Sequence, residues 1–146
     1  GLEFLEPHVR TEDWVLIHDA ARPCIRSSDI ERLISERGDG SSGALLALPA
    51  LDTMKQSNDR HQVERTISRK GLWCAQTPQL FSYDALLDVL RRSDLSTVTD
   101  DSSAMEAAGY TPHLVLGRSD NLKVTTREDL ELAALILQAR RQEADR

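Results

Sequence analysis

The chain has 146 residues, 18 Lys+Arg against 24 Asp+Glu, 40% apolar residues and two each of Trp, Tyr and Phe. This is the make-up of one ordinary globular domain and excludes a disordered tail, a fibre or a disulfide scaffold; at this length roughly 68–70% of the unfolded surface can be buried without metal or disulfide staples. A net charge of −6 excludes broad nucleic-acid affinity, which depends on clustered Lys and Arg, so an anionic ligand must be met by a local basic site.

Trp14-Val15-Leu16-Ile17-His18 is a short apolar run bounded by Pro23. It reads as a buried strand whose C-terminal end delivers Asp19. Ser28-Asp29-Ile30-Glu31 has capping-box spacing, followed by Ile30, Leu33 and Ile34 on one helical face and Gly38 as the stop. Gly43-Ala44-Leu45-Leu46-Ala47-Leu48-Pro49 is a continuous apolar run, the pattern of a parallel strand covered on both faces. Residues 52–68 are polar, with a turn-like Ser57-Asn58-Asp59 centre and alternation at Val63, Arg65 and Ile67. They predict a projecting β-hairpin arm, which has too little core to stand alone and would pack on a partner subunit; the alternative is a mobile surface loop.

Residues 72–76 form a further predicted strand, ended by Thr77-Pro78-Gln79, and Ser82 then caps a helix carrying Leu86, Leu87 and Leu90. The polar stretch 96–101 leads into a short helix through Met105 to Gly109. Residues 112–116 and 121–125 predict two more strands. The last helix opens with the box Thr125-Thr126-Arg127-Glu128, runs through Leu130, Ala133, Ala134 and Leu137, and ends at Arg140-Arg141, which suits the helix dipole. Strands alternating with helices predict an α/β fold with a largely parallel sheet and no second domain.

Cys24 and Cys74 have neither CxxC spacing nor a histidine pattern, and fit thiols in a reducing compartment, with a disulfide as the alternative. No apolar run approaches a membrane span and no signal architecture opens the chain, so the expected location is cytoplasmic. The chain opens on Gly1, with Met54 and Met105 its only methionines, which leads to the expectation of sequence upstream.

Ligands of open α/β sheets bind at the carboxyl ends of strands. Asp19 with Arg22, then Thr77, then Asn121-Leu122-Lys123 stand at such ends. Asp19 beside Arg22 is either a loop-stabilising ion pair or a metal or phosphate site. A lone strand-end aspartate suits Mg²⁺, which keeps several waters and takes one or two carboxylates plus substrate phosphates. His8, His18, His61 and His113 are isolated, and no GxSxG, HExxH or Walker A loop is present. Among the basic residues Lys55, Arg65, Arg69, Lys70 and Lys123 stand out. Residues 59–71 carry four positive charges against two negative, either a solvated hairpin face or a phosphate clamp.

His18-Asp19-Ala20-Ala21-Arg22-Pro23, Asp52-Thr53-Met54-Lys55, Arg69 followed by Gly71-Leu72-Trp73, Thr77-Pro78-Gln79, Thr99-Asp100-Asp101 and Asp120-Asn121-Leu122-Lys123-Val124-Thr125 stand in one order along the chain. Together they resemble the 2-C-methyl-D-erythritol 4-phosphate cytidylyltransferases, from about residue 14 to about residue 137. The resemblance implies a Rossmann-like, mostly parallel nucleotidyltransferase sheet with a projecting β-hairpin arm, residues 1–146 being an N-terminally incomplete domain and 52–68 a dimerisation and substrate arm. It implies transfer of CMP from CTP to 2-C-methyl-D-erythritol 4-phosphate with release of pyrophosphate, in the methylerythritol phosphate route to isoprenoids. Asp19 would bind Mg²⁺. Lys123 would position the polyol phosphate for attack, with Thr53 and Arg69 reaching it from the arm of the neighbouring subunit of a homodimer. Thr77 would line the same pocket, Ala20 would sit near the nucleotide, and Arg22 would brace the loop or the substrate. Lys123 and Arg69 would be the catalytic pair. The glycine-rich triphosphate loop with which the family begins has no counterpart in these 146 residues, so the polypeptide by itself is expected to be inactive. The competing expectation is a non-catalytic, dimerising module that binds a polyol phosphate.

Overall fold

The computed structural model describes residues 1–10, 12–38, 43–94 and 98–144; Ser96 and Thr97 of the predicted polar stretch lie outside them. A short helix α1 (Leu2–Leu5) and a 3₁₀ turn lead to strand β1 (Trp14–Ile17), helix α2 (Ser27–Ser35) and strand β2 (Ala44–Pro49). The hairpin β3 (Met54–Ser57) and β4 (Val63–Ile67) follows, then β5 (Trp73–Ser82), α3 (Tyr83–Arg92), α4 (Asp101–Ala107), β6 (His113–Leu116) and α5 (Arg127–Ala144).

The main sheet has the order β1-β5-β2-β6. Alternation along β1 supplies two cores, because successive side chains of a strand point to opposite faces. Trp14 and Leu16 pack with Leu33 of α2, Leu46, Leu80 and Val115, whereas Val15 and Ile17 pack with Phe81, Leu86, Val89 and Met105 beneath α3 and α4. Helices therefore cover both faces, as the α/β prediction requires.

The sheet is mixed in its pairing. β1 and β2 both run antiparallel to β5, so they run parallel to each other, and β2 is parallel to β6. Three strands thus point one way, with β5 wedged between two of them. The cause is the connection: α2 is a crossover between the like-directed β1 and β2, but β2 reaches β5 through a hairpin and no helix, and only a crossover returns a chain in the same direction. The predicted strand end at Thr77-Pro78 is also corrected. Leu45 pairs with Gln79 and Ala47 with Ala75, so Leu46 stands against residues 76–78. Pro78, which has no N–H for a ladder, sits in this bulge, and the strand continues to Ser82.

Residues 121–125 are not a strand: Val124 N–H donates to Ala21 O at 2.7 Å, and Asn121, fully buried, is held by side-chain bonds instead of a ladder. Two predicted helix starts shift, and a third keeps its place without the expected side-chain bond. Arg26 caps α2 without a side-chain bond, so the Ser28-Glu31 box does not form, and Ser82 caps α3 by position alone. The box before α5 moves on by one residue. Thr126 N–H donates to Asp129 Oδ2 at 2.9 Å while Asp129 N–H donates to Thr126 Oγ1 at 3.2 Å. Spacing alone does not decide between the pairs Thr125/Glu128 and Thr126/Asp129; the shorter acid reaches back, and Thr125 N–H and Oγ1–H bond the same carboxylate.

Hydrogen bonds from Thr125 and Thr126 hold the Asp129 carboxyl at about 2, below its ordinary 3.8. A carboxyl lowered in the fold contributes stability that is fully present above pH 3.8 and lost as pH falls through about 2. Asp129→Asn is therefore expected to flatten the fall of the thermal midpoint between pH 4 and pH 2; an unchanged slope in that window would show that the box contributes nothing.

The arm forms as predicted, Met54 pairing with Ile67 and Lys55 with Thr66. Asn58 Oδ1 closes its turn by accepting from the N–H groups of Arg60 and Gln62. Every residue of both strands is exposed, including Met54, Val63 and Ile67.

Candidate active site

β1 ends at Ile17, and the turn that follows, closed by Arg22 N–H donating to Asp19 O at 2.9 Å, carries Asp19 and Arg22 over the end of the sheet. On the neighbouring β5 the bulge turns Thr77 toward the same end, where its Oγ1 accepts from Asp19 N–H at 3.0 Å. The segment 117–125 closes the third side. Gln76 Nε2 donates to Arg118 O at 3.0 Å, Asn121 Nδ2 donates to Thr77 O at 2.8 Å, and Arg22 donates to Asn121 O at 2.8 Å. A side chain at Gly117 would collide with Gln76, its Cβ falling 2.2 Å from Oε1. These bonds are what bring Lys123, far along the chain, to Asp19: Nζ stands 3.0 Å from Oδ2, with Arg22 Nε 3.6 Å from the same oxygen.

Asp19, Arg22, Thr77 and Lys123 line one cavity of about 300 Å³ together with Asp100 and Asp101. Asp100 caps α4 and accepts from Gln79 Nε2 at 2.8 Å. Burial pushes the Asp101 carboxyl above its ordinary range, and the charges of Asp100 and Asp19 add to that push against a backbone hydrogen bond. Burial likewise lowers Arg22, against the opposing attraction of Asp19. The cavity thus pairs two basic side chains with carboxylates, a setting in which a phosphate and a hard cation can share one site.

The segment bearing Lys123 is also tied from behind. Asp120 Oδ2 accepts from Arg26 at 2.6 Å and from Arg140 of α5 at 3.0 Å, and Arg140 also donates to Cys24 O at 2.8 Å. Burial opposes ionisation of Asp120, but the bonds from Arg26 and Arg140 outweigh it and leave the carboxyl below its ordinary value.

Four of the residues expected at the site therefore meet: Asp19, Arg22, Thr77 and Lys123. Ala20 adjoins them in the exposed turn. Thr53 and Arg69 do not meet them; both are exposed at the root of the arm, Arg69 in a turn where its carbonyl accepts from Leu72 N–H. Of the buried amides, Gln76 has no signal in sequence beyond polarity in an apolar segment, whereas Gln79 and Asn121 stand in the Thr77-Pro78-Gln79 and Asp120-Asn121-Leu122-Lys123-Val124-Thr125 motifs with no role read for them there. His18, read as isolated, contacts both Thr77 and Arg22.

The sequence profile of the family described as IspD, 2-C-methyl-D-erythritol 4-phosphate cytidylyltransferase, matches residues 1–139. A relative of that name from Tolumonas auensis is 52% identical over 128 residues, covering 86% of this chain and 56% of the relative. One from Aliivibrio fischeri is 49% identical over 146 residues, covering 98% and 60%. A crystal structure of a 4-diphosphocytidyl-2C-methyl-D-erythritol synthase superposes with a TM-score of 0.85 at 38% identity, over 93% of this chain and 63% of that one. The chain thus spans somewhat under two thirds of the length of these relatives.

Proposed function

Since the chain belongs to the 2-C-methyl-D-erythritol 4-phosphate cytidylyltransferase family, we propose that the protein transfers CMP from CTP to the phosphate of 2-C-methyl-D-erythritol 4-phosphate and releases pyrophosphate. The observation that carries this reading is the meeting of Asp19 and Lys123 at 3.0 Å on the lip of a cavity that also holds Arg22 and Thr77. An oxygen of the polyol phosphate attacks the α-phosphorus of CTP; the new P–O bond forms as the bond to the pyrophosphate oxygen breaks. The protein's part is to hold two anions in line and to offset their charge. Lys123 does so for the attacking phosphate, Arg22 braces the Asn121 carbonyl and the turn, Thr77 lines the polyol side, and Ala20 backs the nucleotide.

Among the described residues no group of three His, Cys, Asp or Glu could hold a metal ion by itself. The oxygen donors that are present, Asp19 and the nearby Asp101, still suit Mg²⁺, whose remaining ligands are waters and phosphates. When bound, Mg²⁺ would draw charge from the phosphoryl oxygens in the transition state. Asp19 is the residue to hold it.

Thr53 and Arg69 stand at the root of an arm whose strands are exposed along their whole length. They act, in this reading, on the site of a second copy in a cytoplasmic homodimer. Mixing Arg69→Ala with Lys123→Ala chains tests the exchange, because each hybrid dimer holds one site with both lesions and one with neither. Two nearly inactive parents are expected to regain activity at about a quarter of all sites after subunit exchange. No recovery, with exchange verified by mass, would place Arg69 in its own subunit's site.

The activity itself is tested on the longest gene product that carries this sequence. Pyrophosphate release is expected only when CTP, Mg²⁺ and the polyol phosphate are all present. Folded protein that releases none under those conditions would overturn the reading.

A further inference from the structure

His18 has no place in the scheme above, yet its ring is bonded on both sides. Nε2 stands 2.9 Å from the carbonyl oxygen of Arg22, and Nδ1 stands 3.0 Å from Thr77 Oγ1. A carbonyl can only accept, so the neutral ring carries its hydrogen on Nε2 and presents a lone pair at Nδ1. Thr77 must then donate its single hydroxyl hydrogen to Nδ1. The same oxygen accepts from Asp19 N–H at 3.0 Å. A hydroxyl has one hydrogen and two lone pairs, so Thr77, which lines the cavity, has one lone pair left for a ligand and no hydrogen.

We infer that His18 is a positioning residue that fixes the polarity of Thr77, making it a hydrogen-bond acceptor toward the cavity. Thr77 then selects an O–H group on the ligand and gives no bond to a phosphate oxygen, which also offers only lone pairs. The identity of that group rests on the function proposed above: it is one of the hydroxyls of the polyol, while the polyol's phosphate is met by Lys123.

The hydrogen-bond polarity can be measured without turnover. Long-range ¹⁵N–¹H correlation of the full-length gene product labelled at histidine nitrogen, at pH 8, is expected to show His18 as the Nε2–H tautomer. An Nδ1–H tautomer, or a ring protonated on both nitrogens, would free the Thr77 hydrogen and overturn the inference.

Kinetics supply the second readout. His18→Asn keeps an acceptor where Nδ1 stands and loses the bond to Arg22 O, whereas His18→Gln keeps a donor near Nε2 and loses the acceptor. Substrate analogues that each lack one hydroxyl are compared with the full polyol phosphate. Wild type and His18→Asn are expected to disfavour one analogue by on the order of 2- to 10-fold in kcat/KM, and His18→Gln to bring that ratio close to one. A histidine that merely braces the turn would lower the rate on every analogue alike, and an unchanged ratio in His18→Gln would overturn the assignment. Wild type that turns over none of these substrates would defeat the proposed function, while the tautomer would still decide the polarity of Thr77.

Discussion

In the full-length gene product, replacing Lys123 by alanine is expected to lower kcat/KM for the proposed CMP transfer by about 10²–10³-fold while leaving the thermal midpoint almost unchanged. The two halves of that expectation come from one geometry. Arg22 directs its guanidinium at the carbonyls of Asn121 and Ala75, so it is occupied in holding the loop. Lys123 is half exposed and forms an ion pair with Asp19. An exposed pair adds at most about 1 kcal/mol to folding. The same ammonium facing the charge that develops on a transferring phosphate, in a cavity, is worth several times more. Steady-state pyrophosphate release and a melting curve on the same preparation check both parts. Unchanged kinetics in a folded variant would remove Lys123 from the mechanism. A midpoint that collapses with the rate would instead make it a structural residue. Lys123→Arg should recover only part of the rate, because a planar guanidinium does not place its charge where a compact ammonium does.

The largest loss of stability is expected from Gly43→Ala, about 3 kcal/mol or more, with a fall in thermal midpoint of about 10 °C or more. Gly43 opens β2 with φ +80, and a Cβ there would fall 2.2 Å from Phe81 Cδ1 and 2.6 Å from the carbonyl oxygen of Leu80. Phe81 is fully buried at the centre of the core beneath α3 and α4, and the Leu80 oxygen is backbone, so neither can move aside cheaply. Gly38→Ala is the control. Its φ is +79, but a Cβ would meet nothing within 4 Å, so only the left-handed backbone cost of about 1–2 kcal/mol applies. Equal losses in the two variants, measured by denaturant unfolding, would show that the contact with Phe81 is not the cause.

Much of the fold was legible because it rests on local patterns. The short apolar runs of β1 and β2, the polar arm with its turn at Ser57-Asn58-Asp59 and the apolar stripes of α2 and α3 are short-range signals, and each marks an element that formed. What misled was also local. Thr77-Pro78 has the composition of a strand end, but a bulge opposite Leu46 lets β5 continue through it. Residues 121–125 have the composition of a strand, but Asn121 is drawn down onto Thr77 O, and the segment crosses the strand ends instead of joining them. The direction of β5 was equally hidden, since it depends on the hairpin between β2 and β5 replacing a crossover helix.

For the site, the sequence by itself determined which residues could take part and the family to which they belong: an aspartate at a strand end, a lysine after Asp120-Asn121-Leu122, and an arm carrying Thr53 and Arg69. Only the tertiary structure decided which of them meet. Asp19 and Lys123 are brought to 3.0 Å by buried amides whose spacing carries no periodic signal, because a side chain that bonds a distant carbonyl is chosen by its partner and not by its neighbours in the chain. Only the tertiary structure, too, joined His18 to Thr77, since the polarity of a hydroxyl is set by whatever lies within hydrogen-bond reach, and that is a property of space rather than of order along the chain.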